Sequence, residues 1–325
     1  MNDMRVVDMH CDTLLVLRMT GRNLDDINGH INIEKLRRGG ALLQSFAVFT
    51  PTGPEAKIYR LSESPWEYFL SCAELFKAQL QRCSADIAPM RSMADLRRNM
   101  VEGKISAMLT LEDAVCLDGD ISRVQRLYDE GVRLVTLTWN YENSLAFPNS
   151  PEPELHAKGL KDFGFEAISE MNRLGIAVDV SHLSEGGFYD VARESTKPFV
   201  ASHSCARALC EHSRNLTDKQ LRTLADCGGV CGVNFYSAFL REGSEYSLNE
   251  EILRHMEYIA NKAGIESVAL GSDFDGIGCG LEMEDYSGMA RLCEMIEKRF
   301  GGDDAERIIS GNAIRVLSDI LNREG

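Results

Sequence analysis

Eight short runs of apolar and β-branched residues recur along the chain, most of them separated by segments with helical spacing. This alternation limits the fold more than any other feature of the sequence. The runs are Arg5–Asp12, Ala41–Thr50, Ile105–Glu112, Val132–Trp139, Ile176–His182, Pro198–His203, Gly228–Phe235 and Ser267–Phe274. Runs that are apolar on both faces suit parallel strands covered on both sides. Ser64-Pro65 reads as an N-cap and first helical residue, and Trp66, Phe69, Leu70, Ala73, Phe76 and Leu80 follow at helical spacing. Phe163, Ala167, Met171 and Leu174 mark a second helix, stopped by Gly175, and Thr217-Asp218 opens a third that runs into Cys227 and Gly228. Eight strand–helix alternations predict an α/β fold of the (β/α)8 TIM-type barrel class. Two breaks in the spacing predict insertions. About 55 residues separate the second and third runs, room for extra helices over one barrel end, and Asn140–Lys161 reads as a long lid or binding loop. With no internal repeat, low-complexity tract or linker, residues 1–325 read as a single domain.

Charge narrows the function classes. The net charge of −15 repels phosphate backbones and anionic lipid, so no nucleic-acid and no membrane partner is expected. No stretch approaches the ~18 apolar residues of a membrane span. The N-terminus, MNDMRVVDMHCD, carries acids and a histidine where a signal peptide needs an apolar core. The ten cysteines include no C-x-x-C pair and several lie in apolar runs, which fits reduced thiols in a cytoplasmic protein.

The ionisable residues fall at the strand ends. His10 and Asp12 end the first run, Glu112 the third, His182 the fifth, His203 the sixth and Asp273 the eighth. In a barrel of this kind the carboxyl ends of all strands converge on one face. Six candidate metal ligands from five strands would therefore share one small volume. Positions i and i+2 in His10-Cys11-Asp12 project to the same side, so one ion can take both. Three imidazoles and three carboxylates exceed the needs of one tetrahedral ion; two ions sharing a carboxylate would use them all. Each residue alone has a plainer reading, since a lone histidine is usually a packing residue and a strand-terminal aspartate often caps a helix. For Asp275 a turn role is preferred, and His30, His156, His212 and His255 read as surface or packing residues. The coincidence at five strand ends argues against that reading for the set.

The segments VVDMHCDT, LTLED, VDVSHLS, ASHSCARAL, HSRNLTD, VNFY and GSDFDG, in this order, resemble the renal or membrane dipeptidase family of zinc hydrolases, from about Val6 to ISGNAIRVL. The resemblance implies a binuclear site with two Zn2+ per chain. His10 and Asp12 would bind one ion, His182 and His203 the other, and Glu112 would bridge them. It implies Asp273 as the proton-handling carboxylate, Arg214 as the clamp on the substrate carboxylate, Tyr236 as a pocket wall, and a homodimer. Members of the family often carry a histidine after LT at the end of strand four; here Trp139 stands there. The polarising role then passes to Asn140, Tyr141, Asn143 or His156, or the substrate range changes; Asn140 is taken as a substrate-binding residue.

The expected activity is hydrolysis of dipeptides, including those with a C-terminal D-residue, by hydroxide generated between two ions, with Asp273 as acid and base. A binuclear barrel hydrolase of a non-peptide amide, lactone or ester is the alternative, and a metal-binding protein without catalysis is the alternative from another class.

Overall fold

A computed structural model describes residues 5–59 and 62–321, so Met1–Met4 of the N-terminal reading lie outside the described residues. The described residues form eleven strands: β1 (Val6–Asp8), β2 (Ala41–Phe49), β3 (Ile87–Pro89), β4 (Ile105–Glu112), β5 (Val132–Thr136), β6 (Ala177–Asp179), β7 (Val200–Ser204), β8 (Val230–Val233), β9 (Tyr246–Ser247), β10 (Val268–Leu270) and β11 (Gly280–Leu281). The main sheet runs β2-β1-β10-β8-β7-β6-β5-β4-β3 and closes through β2–β4, all parallel. The eight strands of the closed ring are the eight apolar runs, and the fold is a (β/α)8 TIM barrel. β3 is an addition that the sequence did not announce. It pairs with Ile105–Ala107 at the start of β4, before β5 joins that strand at Leu109.

Alternation along each strand divides the core in two. Val7, Leu43, Met108, Leu134, Ala177, Val200, Val230 and Ala269 gather in a cluster with Ala313, Val316, Leu317 and Ile320 of the C-terminal helix Asn312–Leu321. That helix therefore closes the mouth at the strands' amino ends. Phe46, Val48, Leu109, Leu111 and Val135 belong to the other cluster, with the surrounding helices. Period-two spacing puts Glu112 on the same face of β4 as Met108 and Thr110, at the open mouth.

The helix Pro65–Arg82 starts at a capping box between Ser64 and Glu67 and buries Trp66, Phe69, Ala73, Phe76 and Leu80. Gly175 ends the helix Asp162–Leu174 in the left-handed conformation, as its position predicts. The first insertion contains the helices Gly53–Ile58, Pro65–Arg82 and Met93–Val101. The loop Asn140–Lys161 is pinned along its length. Asn143 Nδ2 donates to Asp113 Oδ1 and to the Leu137 carbonyl, each at 2.8 Å, and Ala146 and Pro148 bridge to Leu160 and Leu183. All ten cysteines are free thiols. No described helix is long and apolar enough to cross a membrane.

Candidate active site

Several barrel ladders stop short of the residues that matter. β1 ends at Asp8 and β6 at Asp179, two and three residues before His10 and His182. Beyond those points the backbone turns its side chains into the mouth, and His182 (φ 66°) and Asp273 (φ 62°) sit in the left-handed region. For non-glycine residues that conformation costs of order 1–3 kcal/mol and persists only where the surroundings enforce it. Asp8 and Asp179 take over the N–H groups that the ladders drop. Asp179 Oδ1 accepts from the backbone N–H of Ser181 and Ser202 at 3.0 and 2.8 Å. Asp8 Oδ1 accepts from the backbone N–H of Ser272 at 2.8 Å.

The six strand-end residues meet around Glu112. Its Oε1 lies 3.1 Å from His182 Nε2 and 3.5 Å from His203 Nε2. Its Oε2 lies 3.6 Å from His10 Nε2, which is itself 3.5 Å from Asp12 Oδ2 and 3.9 Å from Asp273 Oδ1. The carboxylate thus presents one oxygen to the His182–His203 pair and the other to the His10–Asp12–Asp273 group. All six side chains are buried or nearly so.

The hydrogen bonds around the imidazoles fix their lone pairs. Ser202 Oγ donates to Asp179 Oδ2 at 2.6 Å, so it can only accept from His203 Nδ1, 2.8 Å away. His182 Nδ1 faces Asn140 Oδ1, an acceptor, at 3.0 Å. Both Nδ1 atoms therefore carry the proton, and both Nε2 lone pairs face each other across 3.1 Å. Burial and the nearby Arg214 charge push His182 down to about 4, and burial with the His10 charge holds His203 well below its usual range, so both rings are neutral. Two facing lone pairs beside a carboxylate oxygen suit a cation. On the other side, His10 Nδ1 and Nε2 and Asp12 Oδ1 are buried without any hydrogen-bond partner. Such groups cost several kcal/mol unless a cation satisfies them. Burial opposes charge on His10, but Glu112 and Asp12 outweigh it and hold the ring well above its usual range, so this group too calls for positive charge. Against its burial, the facing imidazoles hold Glu112 well below the carboxylate range. His10 with Glu112 and His203, and His10 with Asp12 and Asp273, each bring ligand atoms close enough to share a cation.

The mouth holds a cavity of about 290 Å3, walled by Asp12, Glu112, His182 and Asp273 on the floor and by Phe49, Trp139 and Tyr236 at the sides. Gly276 is pressed against the floor: a Cβ there would overlap Asp12 Oδ2 and Asp273 Oδ1. Asp273 Oδ2 accepts from Asn234 Nδ2 at 2.9 Å, and burial raises its pKa. Arg214 is buried behind the wall, where its guanidinium donates to the His203 carbonyl at 3.2 Å and Nε has no partner. No carboxylate pairs with it among the described ion pairs, which leaves a buried cation able to take an anion. Tyr236 stacks edge-on against Phe239 at 5.0 Å, and Arg214 lies over that same ring at 5.3 Å.

Among the four residues considered for the histidine's role, Asn140 alone lines the cavity, and its amide oxygen also orients His182. Asn143 is fastened to Asp113, and His156 lies between Ser150 N–H and Arg207 at a different surface. Asp275 sits in a turn, accepting from Thr13 Oγ1 and His30 N–H at 2.7 and 2.6 Å. Asp8, Asp179, Ser202 and Ser272 lie outside the set expected from the strand ends. Their signal was present: an aspartate inside an apolar strand (VVD, AVD) and a serine directly before each of Asp273 and His203.

The chain is similar to known proteins in sequence and in fold. The model of a family described as membrane dipeptidase, peptidase family M19, matches residues 1–324. An uncharacterized protein of Klebsiella pneumoniae is 40% identical over 242 residues, 70% of this chain and 87% of that one. An uncharacterized dipeptidase of Schizosaccharomyces pombe is 33% identical, spanning 96% of this chain and 79% of the relative. Among solved structures, the dipeptidase AC, a metallopeptidase of family M19, superposes with a TM-score of 0.88 at 28% identity, covering 98% of this chain and 99% of that one. A Rhodobacter sphaeroides metallopeptidase liganded with a phosphinate mimic of the dipeptide L-Ala-D-Ala gives the same TM-score and coverage at 27% identity. Sequence along nearly the whole chain and fold agree: the chain belongs to the membrane dipeptidase family, peptidase family M19.

Proposed function

We propose that this chain is a binuclear zinc dipeptidase that accepts substrates ending in a D-residue. The observation that carries the reading is the two-sided cluster, in which each oxygen of Glu112 faces its own set of ligands. Family membership and the dipeptide mimic bound by the Rhodobacter sphaeroides relative support it. His10, Asp12 and Glu112 would hold one ion and His182, His203 and Glu112 the other. Imidazole and carboxylate donors with no thiolate suit catalytic zinc. When bound, such ions supply Lewis acidity to the scissile carbonyl and bring the pKa of a water toward neutrality.

The chain's own residues do the rest. Arg214 binds the substrate's terminal carboxylate, using donors that no acid occupies among the described residues. Tyr236 and Phe239 wall the cavity on the same side and hold the C-terminal residue. Asp273, steadied by Asn234, takes a proton from the attacking water through its free Oδ1 and returns it to the leaving amine nitrogen. Measuring the carboxylate at one end and the cluster at the other favours dipeptides over longer chains.

Metal content of the purified protein, paired with dipeptide hydrolysis before and after chelation and zinc restoration, tests the reading. About two ions per chain and restorable dipeptidase activity are expected. Two ions without that activity would move the function to a non-peptide amide, lactone or ester. No metal after zinc is supplied would overturn the cluster's role.

A further inference from the structure

The cavity wall across from Arg214 carries a carboxylate that the chemistry above does not use. Glu55 lies on the helix Gly53–Ile58, which follows β2 and buries none of its residues. The side chain lines the cavity, and its Oε2 is buried without a hydrogen-bond partner. The other acids on that wall are engaged. Asp12, Glu112 and Asp273 belong to the ligand cluster, and both oxygens of Asp275 already accept hydrogen bonds.

Phe49, Tyr59 and Trp139 line the same cavity as Glu55. Tyr59 meets Phe49 edge-on at 6.5 Å, Phe49 meets Trp139 at 4.8 Å, and Trp139 meets Tyr141 at 6.0 Å. The Tyr141 ring packs under Gly53, and its hydroxyl neighbours Glu55. A carboxylate set among aromatic faces attracts a cation twice over, through its own charge and through the ring quadrupoles. An apolar or anionic group would leave the carboxylate oxygen unpaired, which is costly. Trp139 belongs to this arrangement: an imidazolium in its place would compete for Glu55, whereas an indole adds to the attraction.

Barrel order gives the direction. Phe49 ends β2, which stands opposite β7 in the closed ring, and Trp139 follows β5, while Arg214 and Tyr236 follow β7 and β8. A dipeptide whose carboxylate meets Arg214 directs its N-terminal residue toward Glu55. We propose that Glu55, with Phe49, Tyr59 and Trp139, forms a recognition pocket for a cationic side chain, ammonium or guanidinium, on the substrate's N-terminal residue. This rests on the dipeptidase reading above and names its preferred substrate class.

The test compares kcat/KM of the zinc-loaded enzyme for two dipeptides with the same C-terminal residue, one beginning with lysine and the other with its uncharged near-isostere norleucine. The wild type is expected to favour lysine by roughly tenfold. In Glu55→Gln the ratio falls toward one, and in Glu55→Lys it inverts; both changes lie on a helix that contributes nothing to the core. A ratio near one in the wild type overturns the proposal. So does a ratio that Glu55→Gln leaves in place, including an equal loss on both substrates, which would put Glu55 on the α-ammonium instead. Turnover of neither dipeptide counts against the dipeptidase reading, and the pair is then compared by calorimetric binding. Tighter lysine binding that Glu55→Gln removes supports the pocket, and equal binding overturns it.

Discussion

His203 illustrates how much of the site is settled one residue away from the ligands. Its tautomer depends on Ser202 Oγ, and Ser202 Oγ depends on Asp179, which also accepts from Thr136 Oγ1 at 2.6 Å. Replacing such a partner of a ligating imidazole commonly costs 10–100-fold in metal affinity. Asp179→Asn is therefore expected to weaken zinc binding by about that factor, measured by competition with a chromophoric chelator. An affinity equal to wild type would remove Asp179 from the site. His255 is the contrasting case, a histidine with a packing role. Ala206 N–H donates to its Nδ1 at 3.1 Å, its Nε2 reaches the Leu240 carbonyl at 3.0 Å, and burial pushes its pKa down to about 4 from 6.5. The folded-state value lies below the unfolded one, so its contribution is whole above pH 6.5 and is lost as pH falls toward about 4. The loss amounts to about 3 kcal/mol. Urea denaturation at pH 7 and pH 4 should show that much less acid sensitivity in His255→Gln, whose amide keeps both hydrogen bonds but does not titrate.

At the scale of elements, the strands were legible and their ends were not. The sequence reading ran the first strand to Asp12 and the fifth to His182, yet the ladders stop at Asp8 and Asp179. Apolar alternation continues past those points because the residues stay buried, while the backbone has already left the sheet to aim its ligands. β3 went unread because three residues ending in proline carry no period. The second long connection, expected as a lid or binding loop, is tied down by Asn143 and two bridges, contacts between residues that no local pattern joins. Close packing of β7, β8 and β10 depends on glycine: a Cβ at Gly232 or Gly271 would overlap the Ser202 carbonyl, next to His203. Gly271→Ala is expected to cost about 1–3 kcal/mol by urea denaturation and to weaken zinc binding as β7 shifts. A variant with wild-type stability would show that the strands can part there without strain.

For the whole molecule, the barrel confines an acidic, imidazole-rich cluster to one mouth while Asn312–Leu321 closes the other. Buried groups that lack partners without a cation make the fold and the metal interdependent. Zinc at a hundred times its Kd should add about 2.7 kcal/mol to stability, read as a rise of several degrees in Tm, and a chelator should reverse it. A Tm indifferent to both would mean that the cluster is satisfied without metal. By itself the sequence determined the number of barrel strands and their parallel arrangement, because apolar alternation is written in adjacent residues. Only the tertiary structure decided that Arg214 is buried without an ion pair among the described residues, that Asn140 orients His182, and that Glu55 faces the same cavity as Trp139. Those pairings join segments far apart in the chain, and which loop covers which side of the mouth follows from packing that no local pattern records.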